Sequence, residues 1–135
     1  MKRSKVYEIE VIVNAAHLDE NEHVNNVQYL QWVQDVAKAH WEKEAKKEWL
    51  ADYVWVALSH HIEYKKPAFL NDKLRIKTHI DSFDAVKSNR LVRIYNDSET
   101  LLCQCHTVWV MLDRETNRPT RCPQEMKDAF NELTE

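Results

Sequence analysis

Hydrophobic and polar positions alternate along residues 6–13, with Tyr7, Ile9, Val11 and Val13 on one face and Glu8 and Glu10 on the other. A period of two marks a half-buried strand, because successive side chains of an extended chain point to opposite sides. The pattern lapses over the polar residues 14–26 and returns with a new period. Val27, Leu30, Val33, Val36 with Ala37, His40 with Trp41, and Ala45 recur every three to four residues. That spacing predicts a long amphipathic helix from about residue 26 to about residue 49. Asn25 or Asn26 suits the N-cap, since its side-chain oxygen can accept from a free backbone N–H of the first turn.

The rest of the chain reads mainly as strand: residues 54–64, 73–84, 86–95 and 100–113. Leu74, Ile76, Thr78 and Ile80 share a face of the second of these. Val92 and Ile94 share one in the third, and Leu101, Cys103, Cys105, Thr107, Trp109 and Met111 share one in the last. Pro67, Asn71-Asp72 and Asn117-Arg-Pro break the chain, and residues 96–99 read as a hairpin loop. Cys122-Pro123 leads into a short helix with Met126, Ala129, Phe130 and Leu133 on its apolar side. Strands joined by short loops pair antiparallel, and a long helix must bury its stripe against the sheet they form. The expected fold is α+β: a five-stranded antiparallel sheet wrapped around one long helix, with a short C-terminal helix. Open sheet edges favour pairing between copies, so a homo-oligomer is expected.

Composition narrows this. A length of 135 residues suits a single domain over residues 1–135. No apolar run approaches the roughly 20 residues that cross a bilayer. The basic residues 1–5 are followed by Glu8 and Glu10 rather than by a secretory core, so a cytoplasmic protein with no membrane partner is expected. Net charge is -3, from 19 Lys+Arg against 22 Asp+Glu, which gives no basic surplus for nucleic acid. Three cysteines, Cys103, Cys105 and Cys122, read as reduced thiols rather than a disulfide framework. There is no glycine at all. Glycine-rich phosphate loops are thereby excluded. Tight turns must fall to residues such as Asn21, Asn71, Asn96 to Ser98 and Asn117.

The densest polar cluster, Asp19-Glu20-Asn21-Glu22-His23-Val24-Asn25-Asn26, stands directly before the predicted helix. A helix start offers free N–H donors and a positive dipole end, suited to a carbonyl oxygen that gains negative charge during acyl transfer. A carboxylate just upstream can act there as general base or nucleophile. The competing reading is a capping and solubility segment. His60, His61, His79 and His106 show no H-x3-H spacing, and the cysteines show no C-x-x-C, so no metal is expected. Of the five tryptophans, core or interface filling is expected for most, with Trp32 placed to contribute to an acyl pocket. Lys65, Lys66, Lys87 and Arg90 are read as lying at strand ends or in loops, where phosphates could be met.

The segment Asp19-x3-His23-Val24-Asn25-Asn26-x2-Tyr29-x2-Trp32 resembles the D-x-x-G-H-V-N-N-x-x-Y-x-x-W/F signature of hotdog-fold acyl-CoA thioesterases of the 4-hydroxybenzoyl-CoA thioesterase-like group. Ile62-Glu-Tyr64-Lys-Lys-Pro67-Ala68 with Asn71-Asp72 is similar to that group's I-x-Y-x-x-P-A-x-x-G-D stretch. Residues 110–119 are similar to its closing V-x-x-D-x-x-T-x-R-P segment. The resemblance implies a hotdog fold, sites at a dimer interface, and hydrolysis of an acyl-CoA to acid and coenzyme A with no cofactor. It implies Asp19 as nucleophile or base and the Asn26 backbone N–H as carbonyl polariser. His23 and Asn25 would line the site. Beside the resemblance, Tyr29, Trp32, Lys65 and Lys66 are the expected substrate contacts, and the expected assembly is a dimer or a dimer of dimers. The motif's glycines are replaced here by Glu22 and Asn71. Glu22 brings a second negative charge beside Asp19 and lacks glycine's freedom at positive φ. The alternatives are an acyl-carrier-protein thioesterase and a non-catalytic acyl-CoA-binding protein. A dehydratase of the same fold fits less well, because His23 sits in the thioesterase arrangement.

Overall fold

The computed structural model describes residues 2–133. Its elements run β1 (Lys2–Ser4), β2 (Tyr7–Ile12), a 3-10 turn (Ala15–His17), α1 (Asn26–Glu44), α2 (Lys47–Asp52), β3 (Tyr53–Tyr64), β4 (Lys73–Asp84), β5 (Lys87–Tyr95), β6 (Leu101–Asp113), α3 (Gln124–Ala129) and β7 (Asn131–Leu133). Five strands form one sheet in the order β2-β4-β5-β6-β3, every pair antiparallel. The strands that flank the helices in sequence, β2 and β3, therefore stand at opposite edges, and α1 spans the sheet between them. The α+β expectation holds, including the five strands and the long helix.

Alternation decides which face meets α1. Leu74 and Ile76 of β4, Val92 and Ile94 of β5, and Cys103 and Cys105 of β6 are buried in one cluster with Tyr29, Trp32, Val33 and Val36 of α1. Burying each large apolar side chain contributes roughly 1.5–3 kcal/mol. A second cluster joins Trp49, Ile80, Met111, Cys122, Met126 and Phe130 at the far end of the helix. Register shifts at Ala57/Ser59, Ile80/Ser82 and Ile94/Tyr95 mark bulges, which bend strands and let a sheet curl.

Three details depart from the sequence pattern. The expected helix of residues 26–49 stops at Glu44, where Ala45 and Lys46 turn extended (ψ 141 and 155) before α2 resumes. The break lets Trp49 fold back onto Trp41, ring centroids 6.4 Å apart. Val27 is 74% exposed, because the buried stripe runs through Tyr29, Trp32, Val33, Val36, Ala37 and His40 instead. A second sheet, β1 with β7, ties the two chain ends together.

The absence of glycine leaves a conformational mark. Glu22, Asn71, Ala85, Glu99 and Asn117 all adopt φ between 55 and 69. Asn71 and Asn117 tolerate this region better than most residues do. A Glu or Ala there pays roughly 1–2 kcal/mol in Cβ crowding.

Candidate active site

Asp19 sits in a short hairpin whose base is a bridge between Leu18 and Val24. Its Oδ1 accepts from the backbone N–H of Asn21 (2.9 Å) and of His23 (3.3 Å). The Asp19 N–H donates to the His23 carbonyl at 2.8 Å, and the Glu22 N–H donates to the Asp19 carbonyl at 3.0 Å. Glu22 then takes φ 62 to close the loop. The same arrangement recurs between β5 and β6. There Asn96 Oδ1 accepts from Ser98 N–H (3.0 Å) and Thr100 N–H (2.9 Å), and Glu99 takes φ 62. The loop is therefore a conformation this chain builds twice without glycine, and one oxygen of Asp19 is spent on it. No hydrogen bond within the described residues engages the other carboxylate oxygen.

The loop is joined directly to the helix start. Asn25 N–H donates to the His17 carbonyl, and Val24 N–H to the Ala68 carbonyl, both at 2.9 Å. Of the two candidate caps it is Asn25 that acts, its Oδ1 accepting from Val27 N–H at 2.9 Å. Asn26 begins α1, and its N–H, among the first-turn donors that a helix cannot satisfy internally, has no partner among the described residues. The Tyr64 hydroxyl donates to the Asn26 carbonyl at 3.2 Å, tethering the end of β3 to this turn.

The remaining predicted residues gather around that junction in different ways. The exposed His23 ring stands edge-on to Phe69, centroids 5.2 Å apart. Lys65 and Lys66 are exposed just before Ala68, their backbone N–H groups fixed on the Leu102 carbonyl, with Lys65 Nζ 3.3 Å from Glu63. Tyr29 and Trp32 are 3% and 4% exposed and lie beneath the first helical turns, their rings 5.8 Å apart. The Tyr29 hydroxyl is buried near the Ala68 backbone without a full hydrogen bond, and burial pushes its pKa up to about 12.

Away from the loop, one expectation needs correction. Arg90 is not at a strand end but on the inner face of β5, 4% exposed. Its alternation with Ser88 and Val92 turns it toward α1. Its Nη1 lies 2.9 Å from His40 Nδ1 and donates to Thr78 Oγ1 at 3.0 Å. It is thus no surface phosphate partner. Most of the tryptophans fill the core as expected: Trp32 and Trp49 are buried, and Trp41 and Trp55 pack against the second cluster. Trp41, Trp55 and Trp109 line a cavity of about 470 Å³ between α1, α2 and the sheet, which the sequence reading missed. Among the described residues no group of three His, Cys, Asp or Glu could hold a metal.

A family model described as the thioesterase-like superfamily matches residues 13–130. The long-chain acyl-CoA thioesterase FadM of Escherichia coli is 22% identical over 128 residues, which is 92% of this chain and 96% of that protein. A Staphylococcus aureus protein solved in complex with CoA superposes with a TM-score of 0.83 at 17% identity, over 93% of this chain and 82% of that one. A 1,4-dihydroxy-2-naphthoyl-CoA thioesterase from Synechocystis gives 0.81 at 20% identity, over 93% and 96%.

Proposed function

The chain belongs to the thioesterase-like superfamily, and on that premise we propose that it hydrolyses an acyl-CoA thioester to the free acid and coenzyme A. The observation that carries this reading is the Asp19 loop hydrogen-bonded onto the residues that open α1. The thioester carbonyl would accept from the Asn26 N–H, where the helix dipole favours developing negative charge. Asp19, through its second oxygen, would take a proton from water as the hydroxyl adds to the carbonyl carbon, or would itself add and form an anhydride that water then opens. In either case the C–S bond breaks, the thiolate of coenzyme A gains a proton, and no cofactor takes part. His23 and Asn25 shape the mouth of the site. Tyr29 and Trp32 support it from beneath, and Lys65 and Lys66 stand where the phosphates of coenzyme A would pass.

The reading extends to assembly and location. β3 is an edge strand of 12 residues carrying exposed Val56 and Leu58. Such an edge supports pairing with a second copy, as a dimer or a dimer of dimers. Three buried free thiols suit a reducing compartment, which supports a cytoplasmic location.

The test is thiol release from short, medium, long and aromatic acyl-CoA esters by wild type and Asp19→Asn. Asparagine preserves the loop, as Asn96 does in the matching hairpin, and removes only the base or nucleophile. A loss of about 100-fold or more is expected in the variant. Equal rates in the two proteins would remove Asp19 from the mechanism. Tight acyl-CoA binding without thiol release would establish a binding protein instead.

A further inference from the structure

The 470 Å³ cavity joins apolar walls to an unusual polar floor. Trp41 and Trp55 form the walls, held edge to face at 5.8 Å. On the floor stand Arg90, Ser88 and Trp109, the last through its ring, since its Nε1 is fully buried and shut off from the cavity. Arg90 is bonded only to His40 and Thr78, and no carboxylate of the described residues forms an ion pair with it. Its neighbour gives it no counter-charge, since burial first and the Arg90 charge second push the His40 pKa down to about 3. Desolvation lowers the guanidinium to about 9, so it is still a cation at neutral pH. The other charged lining groups are Lys38, Arg114 and Glu42, which leaves the cavity positive overall.

A buried cation that lines this space and has only neutral hydrogen-bond partners describes a site for an anionic ligand. We propose that this cavity receives the far end of the acyl group, and that Arg90 selects acyl chains ending in a carboxylate. The inference rests on the thioesterase reading and adds the substrate class: monothioesters of α,ω-dicarboxylic acids. Length is constrained by α1. Gln34, at the cavity, is eight residues beyond Asn26. At a rise of about 1.5 Å per residue that is about 12 Å along the helix axis. The chain that spans it within one protomer is a long one, its methylenes passing over apolar side chains before the carboxylate meets Arg90.

The experiment compares kcat/KM for palmitoyl-CoA and its ω-carboxy counterpart, and for the same pair at octanoyl length. Wild type, Arg90→Met, Trp109→Phe and the control Arg93→Met are run together. Arg93 is exposed on β5 and its Nε donates to Gln104, away from the cavity. Wild type and the control should prefer the carboxylated ester by roughly tenfold or more. Arg90→Met should bring the ratio to one or below, and Trp109→Phe, which keeps an aromatic ring and leaves Arg90 in place, should retain a ratio well above one. A ratio of one or below in wild type, or one that Arg90→Met does not lower, overturns the proposal. If Arg90→Met fails to fold, a titration of wild-type tryptophan fluorescence with free hexadecanedioic acid decides instead. Saturable quenching by the diacid at concentrations where palmitate has no effect supports the site; equal response to both refutes it. If no thioester of any kind is hydrolysed, the catalytic reading fails, and the same titration still judges the cavity.

Discussion

Replacing Glu22 by glycine tests the account of the Asp19 loop. Glu22 holds φ 62, where a Cβ crowds the following carbonyl at a cost of roughly 1–2 kcal/mol. Glycine removes that crowding but gives the unfolded chain more freedom, worth roughly 0.5–1 kcal/mol in the other direction. The net expectation is a gain of about 0.5–1 kcal/mol, or about 2–4 °C in Tm for a chain of this size. Glu22→Ala is the necessary partner, because it removes the same charge and keeps the Cβ. Any gain from relieving repulsion near Asp19 appears in both variants, so the difference between them isolates the backbone. Glu99→Gly should behave alike, since its loop has the same hydrogen bonds and the same φ. Its gain should be slightly smaller, because Glu99 also meets Arg75 at 3.3 Å in an exposed ion pair worth about 0–1 kcal/mol. Urea unfolding at fixed protein concentration and pH measures all three. If the alanine and glycine variants at position 22 are equally stable, the strain argument is wrong.

His40 makes the fold sensitive to acid. Its pKa is about 3 when folded and about 6.5 when unfolded, so the unfolded chain binds the extra proton between those values. The sign is therefore a loss of stability as pH falls below about 6.5, levelling near 3. The slope reaches about 1.4 kcal/mol per pH unit, or roughly 2 kcal/mol between pH 6.5 and 5. Denaturant midpoints for wild type and His40→Asn across that range should show the variant with the shallower dependence. Cys103 is pushed up to about 12 and Cys122 to about 11 by burial, and Cys105 is raised for the same reason. All three should resist a disulfide reagent in the native protein and react in denaturant, where three thiols are counted. Fast native labelling would contradict their burial.

How far the sequence reached depended on whether the signal was local. The strand over residues 73–84 was legible to the residue, because alternation and its flanking turns agree. The Asp19 cluster was legible as a motif, yet only coordinates show that the Asn96 hairpin repeats its hydrogen bonds. The break after Glu44 was not legible: Ala, Lys and Glu all favour helix, and the stop comes from Trp49 packing onto Trp41. β1 and β7 are three residues each and too short to alternate. Arg90 shows most clearly what a pattern hides. Its position on the inner face follows from counting by twos from Val92, but a charge reads as surface until the partners across the sheet are known.

That β2 and β3 close opposite edges of the sheet also sets the order in which the chain can assemble. β4, β5 and β6 are linked by tight turns and can zip as consecutive hairpins. β2 has to find β4 across the whole length of α1, as with Tyr7 opposite Thr78. Closing so long a loop is entropically unfavourable until other contacts exist, and it slows folding. The Asp19 loop lies on that stretch, between β2 and the helix, so the same long-range closure sets where it stands against the sheet.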